Sequence, residues 1–321
     1  MDTEQWYELC LVAVSLNSNK NMFIIKYRKI FFTISIITIA LSFFAMATKG
    51  FNVGIDFKGG SIIEVSYLTT EAPAQAGDNR PDIETLKEAL EKAGFEGARV
   101  QMAGESDVMV KTRALSEEDR QKLTSTLAIK GFQMEEKQFS SIGPTIGAEL
   151  RVKAWYAIIL VILGIVLFIA YVFRHVSEPI SSWKYGMITT ATLLHDIIVP
   201  AGVFVWLGKE VDALFIVALL SIMGVSVHDT IVVFDRIREN LKLRVSNDFA
   251  TTVGMSLRQT FTRSINTSLT TMLVLATLFF FGPASTKDFS LILWMGIAVG
   301  TYSSVFIASP LLVVLEKRQS R

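Results

Sequence analysis

The sequence is poor in the residues that build disulfides and metal sites. Its 321 residues include one cysteine, Cys10, and three histidines. A single cysteine excludes an intramolecular disulfide and any zinc site made of paired cysteines. The chain also lacks the G-x-x-x-x-G-K-[ST] loop that holds nucleotide phosphates and the H-E-x-x-H pair of many zinc enzymes. We therefore expect neither ATP hydrolysis nor a metal cofactor.

Charged residues are also scarce, and they are unevenly distributed. They make up 19% of the chain, against 51% hydrophobic residues, and the mean hydropathy is +0.43. Residues 49–150 hold 17 acidic and 12 basic residues, which is net −5, so the formal total of +1 leaves net +6 for the rest. An acidic segment inside a basic, apolar frame indicates a soluble domain carried by a polytopic membrane protein.

Six apolar segments are each long enough to cross a bilayer core of about 30 Å. The transmembrane spans are predicted at 30–47, 154–173, 185–207, 213–234, 264–282 and 289–315. The apolar run of the first span is longer than the core of a signal peptide, so we interpret it as a retained anchor.

Lysine and arginine cluster in alternate connections, which predicts the orientation of the chain. The basic side comprises residues 1–29, the link between spans two and three, the loop 235–263 and the tail 316–321. Both termini are therefore predicted to be cytoplasmic, with residues 48–153 forming one extracytoplasmic domain. Residues 1–21 precede a second methionine, Met22, and are either a short extension or the result of a start codon assigned too early.

The predicted extracytoplasmic domain has the pattern of a small α+β unit. Four strand-like segments ("SIIEVSYL", "ARVQMAG", "DVMVKTRA" and "FQMEEKQFS") alternate with two helical ones ("PDIETLKEALEKAG" and "SEEDRQKLTSTLAIKG"). The second helical segment opens with a Ser-x-x-Asp capping box. The order βαββαβ predicts a ferredoxin-like sheet with helices on one face, with residues 72–81 as an insertion. The predicted fold class is thus a polytopic α-helical protein with six transmembrane helices and one ferredoxin-like α+β domain.

Ionisable residues lie at three places in the spans, where charge costs about 2.5–3.5 kcal/mol on insertion scales. His195-Asp196 falls near the middle of span three, His228-Asp229 falls in span four, and Arg263 opens span five. One acid that faces one base along a hydrated path suffices for a proton relay, because a changing distance between them changes proton affinity. The residues alone therefore support a proton- or cation-coupled membrane protein.

Each of these positions also has a purely structural interpretation. Asp196 and Asp229 can serve in an ion pair or an interhelical hydrogen bond. Arg263 can extend from its helix end to water. His195 and His228 can simply satisfy the acids beside them. Two other functions stay open: an intramembrane metal hydrolase built on the His-Asp dipeptides, and a scaffold subunit whose domain only binds a partner.

Spans five and six carry patterns that predict helix packing. A polar stripe on span five either joins helices or holds water, and it comprises Arg263, Asn266, Thr267, Thr270 and Thr277. Span six carries Gly296 and Gly300 in a G-x-x-x-G spacing, which predicts a close helix–helix contact.

Four segments of the chain resemble the SecF family of the bacterial protein-export machinery. They are "VGIDFKGGSIIEV", "LLSIMGVSVHDTIVVFDRIREN", "FTRSINTSLTTMLVLATLFFFG" and "GTYSSVFIASPLL". They occur in the family's order, and the resemblance covers nearly the whole chain from Met22. It implies a non-enzymatic accessory subunit of the Sec translocase in the bacterial cytoplasmic (inner) membrane.

The resemblance also implies partners and an energy source. Such a subunit pairs with SecD and associates with the SecYEG channel. It acts after the ATPase SecA, so that SecA is an indirect partner. It uses the proton-motive force, with no bound cofactor, to promote late steps of preprotein export. Preproteins and membrane lipid are the remaining expected partners, and nucleic acid is not one. The alternatives are a non-conducting scaffold or a related proton-coupled exporter of another substrate.

The resemblance assigns a proton relay within the membrane. Asp229 corresponds to the proton carrier and Arg263 to its basic partner, while Asp196 in "HDIIV" is a weaker candidate. SecF proteins commonly carry asparagine where this chain has His228, a residue that titrates near neutral pH. His228 therefore either shifts the working pH of Asp229 or occupies the same hydrogen-bonding position.

A second motif lies between span one and the predicted domain. Asp56, Gly59 and Gly60 in "GIDFKGG" match a family motif that links the two, and their implied role is structural coupling. Glycine permits tight backbone turns at such a joint.

Overall fold

A computed structural model describes most of the chain. The described residues are 23–69, 81–103, 106–129, 132–174 and 180–319. The predicted extension at residues 1–21 and most of the predicted insertion at residues 72–81 lie outside these ranges.

The described residues form long helices and one small α+β unit. The helices are α1 (Phe23–Lys26), α2 (Arg28–Lys49), α3 (Ile55–Lys58), α4 (Ile83–Lys92), α5 (Glu117–Leu127), α6 (Pro144–Val172), α7 (Ser182–Trp206), α8 (Ala213–Lys242), α9 (Phe249–Phe281), α10 (Ala284–Ser303) and α11 (Ser309–Gln319). A π-helical turn, Ser304–Ala308, joins α10 to α11. The strands are β1 (Asn52–Val53), β2 (Gly60–Thr69), β3 (Arg99–Met102), β4 (Asp107–Thr112), β5 (Phe132–Ile142) and β6 (Glu210–Val211).

Six helical units are long and apolar enough to cross a membrane, as predicted. They are α2, α6, α7, α8, α9 and the continuous unit from α10 through α11. α7, α8 and the α10–α11 unit form the centre of the bundle, whereas α2, α6 and α9 are largely exposed at its periphery. We call the end of the bundle that joins residues 50–143 the domain end, and the opposite end the far end.

The helices extend beyond the predicted spans. α6 already begins at Pro144, because proline fits the first turn of a helix. α8 runs to Lys242 and α9 begins at Phe249, so most of the predicted loop 235–263 is helical. The Asp248 carboxylate accepts a hydrogen bond from the Thr251 amide at 2.8 Å and caps α9. Polar residues thus prolong both helices, since backbone hydrogen bonding requires no apolar side chain.

Aromatic rings pack the bundle near its far end. Tyr185 lies between Phe173 and Phe234, with ring centroids 5.2 Å away in both cases. All three side chains are fully buried. Because lipid is as apolar as these rings, dispersion between closely packed atoms stabilises the contact more than the exclusion of water does.

The α+β unit is a ferredoxin-like sheet, which confirms the predicted class of this domain. Its four strands are antiparallel in the order β3-β4-β2-β5, and the chain order is βαββαβ. Alternate residues of β2, namely Ile63, Val65 and Tyr67, are fully buried in a core shared with α4 and α5. Burial of each such side chain contributes about 1.5–3 kcal/mol. The Tyr67 hydroxyl donates to the Leu127 carbonyl at 2.8 Å, so its polar atom is satisfied.

The domain joins the bundle through a tight segment between α2 and β2. β1 pairs in parallel with β6, with Asn52 opposite Glu210 and Val53 opposite Val211. Gly59 and Gly60 then turn the chain into β2 with φ angles of 82° and 155°. A Cβ on Gly60 would lie 2.8 Å from the Thr112 carbonyl oxygen. Both glycines are therefore required by backbone conformation and by space.

Candidate functional site

Asp196 occupies the centre of the bundle and is fully buried on α7. Its Oδ2 accepts hydrogen bonds from Ser226 Oγ at 2.5 Å and from Ser303 Oγ at 2.7 Å. Its Oδ1 lies 2.8 Å from Nδ1 of His195. Three helices thus supply hydrogen-bond partners to one carboxylate. These bonds replace the solvation that lipid cannot provide.

Two glycines on α10 allow this convergence. A Cβ on Gly296 would lie 2.2 Å from Cδ1 of Ile222, and one on Gly300 would lie 3.2 Å from Cβ of Ser226. The close approach of α10 to α8 brings Ser226 and Ser303 to the same oxygen of Asp196.

The π-helical turn that follows α10 allows consecutive serines to point inward. Ser303 bonds to Asp196, while Ser304 exchanges a 2.8 Å hydrogen bond with Thr230 on α8. A π-turn widens the helix by one residue per turn, and such turns are often found at functional sites. Pro310, two residues after this turn, has no backbone N–H to donate within the helix, which favours an irregular turn nearby.

Asp229 lies near the middle of α8, about 24 Å from the start of the helix at 1.5 Å per residue. Its side chain is 9% exposed, and its Oδ2 is buried with no hydrogen-bond partner among the described residues. The Ser264 hydroxyl of α9 lies close enough to the Asp229 carboxylate to interact with it, but within the described part of the chain the two groups do not reach hydrogen-bonding geometry. An unsatisfied buried carboxylate oxygen is costly, so its presence requires an explanation.

A cavity of about 10 Å³ borders Asp229 and also Ser226, the hydrogen-bond donor to Asp196. Its lining consists of Val225, Ser226, Asp229, Gly296, Ile297, Gly300 and Thr301. This volume is close to the minimum that holds one water molecule, and the lining offers polar partners on three sides. Ser226 therefore contacts Asp196 directly and shares the cavity with Asp229.

His228 and Arg263 lie on the surface of the bundle. Both side chains are exposed on the same side of the molecule, within electrostatic range of Asp229. No ion pair joins Arg263 to Asp229 among the described residues, although α8 and α9 are in contact. The predicted acid–base pair therefore consists of neighbours that do not touch in this conformation.

The predicted polar stripe of α9 is also exposed. Asn266 and three of its threonines lie on the outer surface, and the Thr267 and Thr270 hydroxyls donate to carbonyls of their own helix. Among the described residues, the stripe neither joins helices nor lines the cavity. It adds to His228 and Arg263 to form a polar membrane-depth surface, which we call the α8–α9 face (His228, Arg263, Asn266, Thr267 and Thr270).

At the domain end, Asp56 ties the glycine segment to α8. Its Oδ2 accepts a 2.7 Å hydrogen bond from the Ala213 amide, the first residue of α8. Asp212 caps the same helix by accepting from the Phe215 amide at 2.8 Å. Burial raises the pKa of Asp212, and the nearby Asp56 carboxylate raises it further. The helix that carries Asp229 is thus fixed at its start by the segment that leads into the domain.

A second contact holds the sheet against the bundle. Glu210 accepts from Lys111 Nζ at 2.6 Å and lies 3.4 Å from Arg99. The Lys111 and Glu210 side chains are only 16% and 15% exposed, so solvent screens this pair less than a surface pair. The sheet face opposite α4 and α5 borders a cleft of about 730 Å³ above the loops at the domain end.

Sequence reasoning missed most of the hydroxyl groups at this site. Hydroxyl residues within apolar runs give no clear signal of function, and this applies to Ser226, Ser303, Ser304 and Thr230. The available signal was spacing, because Ser226 precedes Asp229 by nearly one helical turn and Ser303 follows Gly300 by the same interval. In the described part of the chain, no three His, Cys, Asp or Glu side chains converge as metal ligands would.

Comparison with known proteins places this geometry in a family. A family model described as "Protein export membrane protein SecD/SecF, C-terminal" matches residues 122–318, and one described as "SecD/SecF GG Motif" matches residues 44–67. The chain is 40% identical to protein translocase subunit SecF of Thermobaculum terrenum, over 92% of this chain and 94% of that protein. It is 36% identical to SecF of Vibrio alginolyticus, over 94% of this chain and 91% of that protein.

Solved structures agree with these matches. The crystal structure of SecDF from Thermus thermophilus, described as a translocon-associated membrane protein, superposes with a TM-score of 0.76 at 33% identity over 92% of this chain. SecDF in a super-membrane-facing form gives 0.63 at 34% identity over 90% of this chain. The chain spans 38% of the length of each SecDF chain. The chain therefore belongs to the SecD/SecF family of protein export membrane proteins, among its SecF members.

Proposed function

We propose that this chain is an accessory subunit of the Sec protein translocase that uses the proton-motive force, together with SecD, to promote late steps of preprotein export. Proton uptake and release at Asp229 supplies the driving force. The chain performs no hydrolytic chemistry, and it binds no cofactor, since the proton gradient is its energy source. It acts in the bacterial cytoplasmic membrane with both termini in the cytoplasm.

The observation that carries this proposal is the unsatisfied Oδ2 of Asp229. Asp196 has donors on both oxygens, whereas Asp229 has an oxygen with no partner among the described residues. A structural acid at this depth needs a donor, because lipid supplies none. Incomplete hydrogen bonding therefore favours a working proton site over a structural one.

Movement of α8 couples the proton site to the domain. Asp229 lies on the helix whose first amide is held by Asp56, and β6 at its start pairs with β1. A shift of α8 when Asp229 gains or loses charge is transmitted through these contacts to β2, which begins at Gly60. The domain then moves relative to the membrane, and this movement pulls on preprotein at the outer side.

SecD is the partner expected on the α8–α9 face. Arg263, Asn266 and His228 are exposed at membrane depth, where lipid contact is costly. A membrane protein partner with polar groups at the same depth removes this cost. SecD is named as this partner because the chain resembles the solved SecDF chains at 33% identity over 92% of its own length. SecYEG, SecA acting indirectly, and preproteins complete the proposed assembly.

The test is preprotein export into vesicles with and without a proton gradient. The vesicles contain SecYEG, SecD and this chain as wild type, Asp229→Asn or Asp235→Asn. Asp235→Asn is the matched control, because Asp235 lies on the same helix but is exposed and paired with Arg238. We expect Asp229→Asn to insert and bind SecD normally while losing the stimulation by the gradient, and Asp235→Asn to keep it.

Three outcomes oppose the proposal. Gradient-stimulated export by Asp229→Asn would remove the proton role from this residue. Equal export with and without the gradient in the wild type, combined with loss of export when residues 50–143 are deleted, would indicate a non-conducting scaffold. Stimulation of a substrate other than preproteins would indicate a related proton-coupled exporter.

A further inference from the structure

We propose that Ser226 joins Asp229 and Asp196 into one two-carboxylate proton path, with Ser226 as the relay between them. This inference rests on the proposed proton role of Asp229. It extends that role by naming a second proton-binding carboxylate and the group that connects the two.

The geometry places Ser226 between the acids. Its hydroxyl donates to Asp196 Oδ2 at 2.5 Å, so one end of the path is a direct hydrogen bond. On its other side Ser226 lines the cavity that Asp229 also lines. Because they lie three residues apart on α8, the two side chains share one face of the helix. The cavity of about 10 Å³ has room for about one water molecule to complete the path.

The transfer balances without any other reactant. Protonated Asp229 donates its proton to the water, and the water donates one of its own protons to Ser226 Oγ. Ser226 Oγ releases its original proton to Asp196 Oδ2. Rotation of the Ser226 hydroxyl and reorientation of the water then restore the starting hydrogen bonds. The net result is one proton moved from Asp229 to Asp196, with no bond to carbon made or broken.

The groups around each acid are compatible with this transfer. Asp196 is faced by His195 on its own helix, by Ser226 from α8 and by Ser303 from α10. Tyr302 of α10 stacks on His195, with ring centroids 6.4 Å apart. Around Asp229, the titratable groups are His228 on its own helix and Arg263 from α9.

Ser303 distinguishes the relay from a structural hydrogen bond. It donates to the same oxygen of Asp196 at 2.7 Å and is as deeply buried as Ser226, but it does not line the cavity. If the serines only stabilise Asp196, replacing either one has the same effect. If Ser226 is the relay, only its replacement interrupts proton transfer.

The experiment uses the full chain in vesicles with SecD and SecYEG and compares Ser226→Ala, Ser303→Ala and Asp196→Asn. Ser290→Ala is the neutral control, because Ser290 is a buried serine of α10 whose hydroxyl, in the described structure, bonds only to the Lys287 carbonyl of its own helix. Gradient-stimulated export and thermal stability are both measured. We expect Ser226→Ala and Asp196→Asn to lose the stimulation. We expect Ser303→Ala to lose thermal stability but to keep the stimulation of export by the gradient.

The outcomes separate this inference from the function on which it rests. If Asp229→Asn loses the stimulation while Ser226→Ala and Asp196→Asn both keep it, the relay is refuted and the role of Asp229 stands. If Ser226→Ala and Ser303→Ala lose the stimulation to the same degree, Ser226 is only a structural donor. If Asp229→Asn keeps the stimulation, the proposed function itself fails. Should Ser226→Ala not fold, Asp196→Asn alone decides, because a path that ends at Asp196 requires its carboxylate.

Discussion

Two aspartates in one bundle illustrate how surroundings decide what a residue does. Asp196 and Asp229 are both buried at membrane depth, and each follows a histidine. Asp196 is held by donors from α7, α8 and α10, whereas Asp229 retains an unsatisfied oxygen within the described structure. The same carboxylate therefore holds three helices together in one place, where the proposed relay also ends, and keeps an oxygen without a donor in the other.

This contrast predicts opposite effects on stability. Asp196→Ala removes the acceptor of two serine hydroxyls, and we expect the free energy of unfolding to fall by about 2 kcal/mol. Asp229→Ala removes a poorly satisfied polar group, so the change is expected to be under about 1 kcal/mol or stabilising. Denaturant titration in detergent, followed by circular dichroism, measures both. Equal losses in the two variants would contradict the assigned roles.

Not every residue assignment could be read from the chain. The acids were found because charge inside an apolar run is conspicuous. The serines and threonines were missed because a hydroxyl carries no charge and can donate its hydrogen bond to a carbonyl of its own helix. The pairing of Arg263 with Asp229 was expected from the resemblance, but the structure shows them as neighbours without a direct ion pair.

At the scale of elements, the contact between α8 and α10 builds the site. Gly296 and Gly300 bring α10 against Ile222 and Ser226, and the π-helical turn then directs Ser303 and Ser304 inward. The G-x-x-x-G spacing predicted a close contact but not which helix would be its partner. No sequence pattern predicted the π-turn, because Pro310 alone does not specify where the helix widens.

Adding a methyl group at Gly296 tests this contact. Its Cβ would lie 2.2 Å from Ile222 Cδ1, so we expect Gly296→Ala to lower the free energy of unfolding by about 1–3 kcal/mol. Gly164→Ala on α6 is the control, since nothing lies within 4 Å of a Cβ there. Because Ile222 is itself buried, Ile222→Ala also lowers stability, but the double variant with Gly296→Ala should lose less than the sum of the two single losses. Additive losses would mean that the two helices are not in the contact described.

At the scale of the whole molecule, the chain has a helical bundle, an α+β domain and a polar surface at membrane depth, the α8–α9 face, which we expect a partner protein to bury. The fold class was predictable, because long apolar runs and the βαββαβ order are strong patterns. The β1–β6 pairing and the Lys111–Glu210 contact were not, since both join segments that are far apart in sequence. The orientation of the termini remains a prediction from the distribution of Lys and Arg.

The α8–α9 face predicts where SecD binds. A cysteine introduced as His228→Cys, in a Cys10→Ser background, is expected to form crosslinks with SecD cysteines at the same membrane depth. Ile159→Cys is the control, because Ile159 is 57% exposed on α6 and belongs to no polar surface. Mass spectrometry of the crosslinked product identifies the partner. Crosslinks at Ile159→Cys but not at His228→Cys would place SecD on another face.

The central claim is that Asp229 itself gains and loses a proton during operation. Infrared difference spectroscopy of the chain with SecD in membranes, recorded at low and high pH, measures this directly. The account predicts a protonated-carboxyl band that appears at low pH, is absent in Asp229→Asn and is retained in Asp235→Asn. An unchanged band in Asp229→Asn would contradict the account, because the proton would then reside on another group.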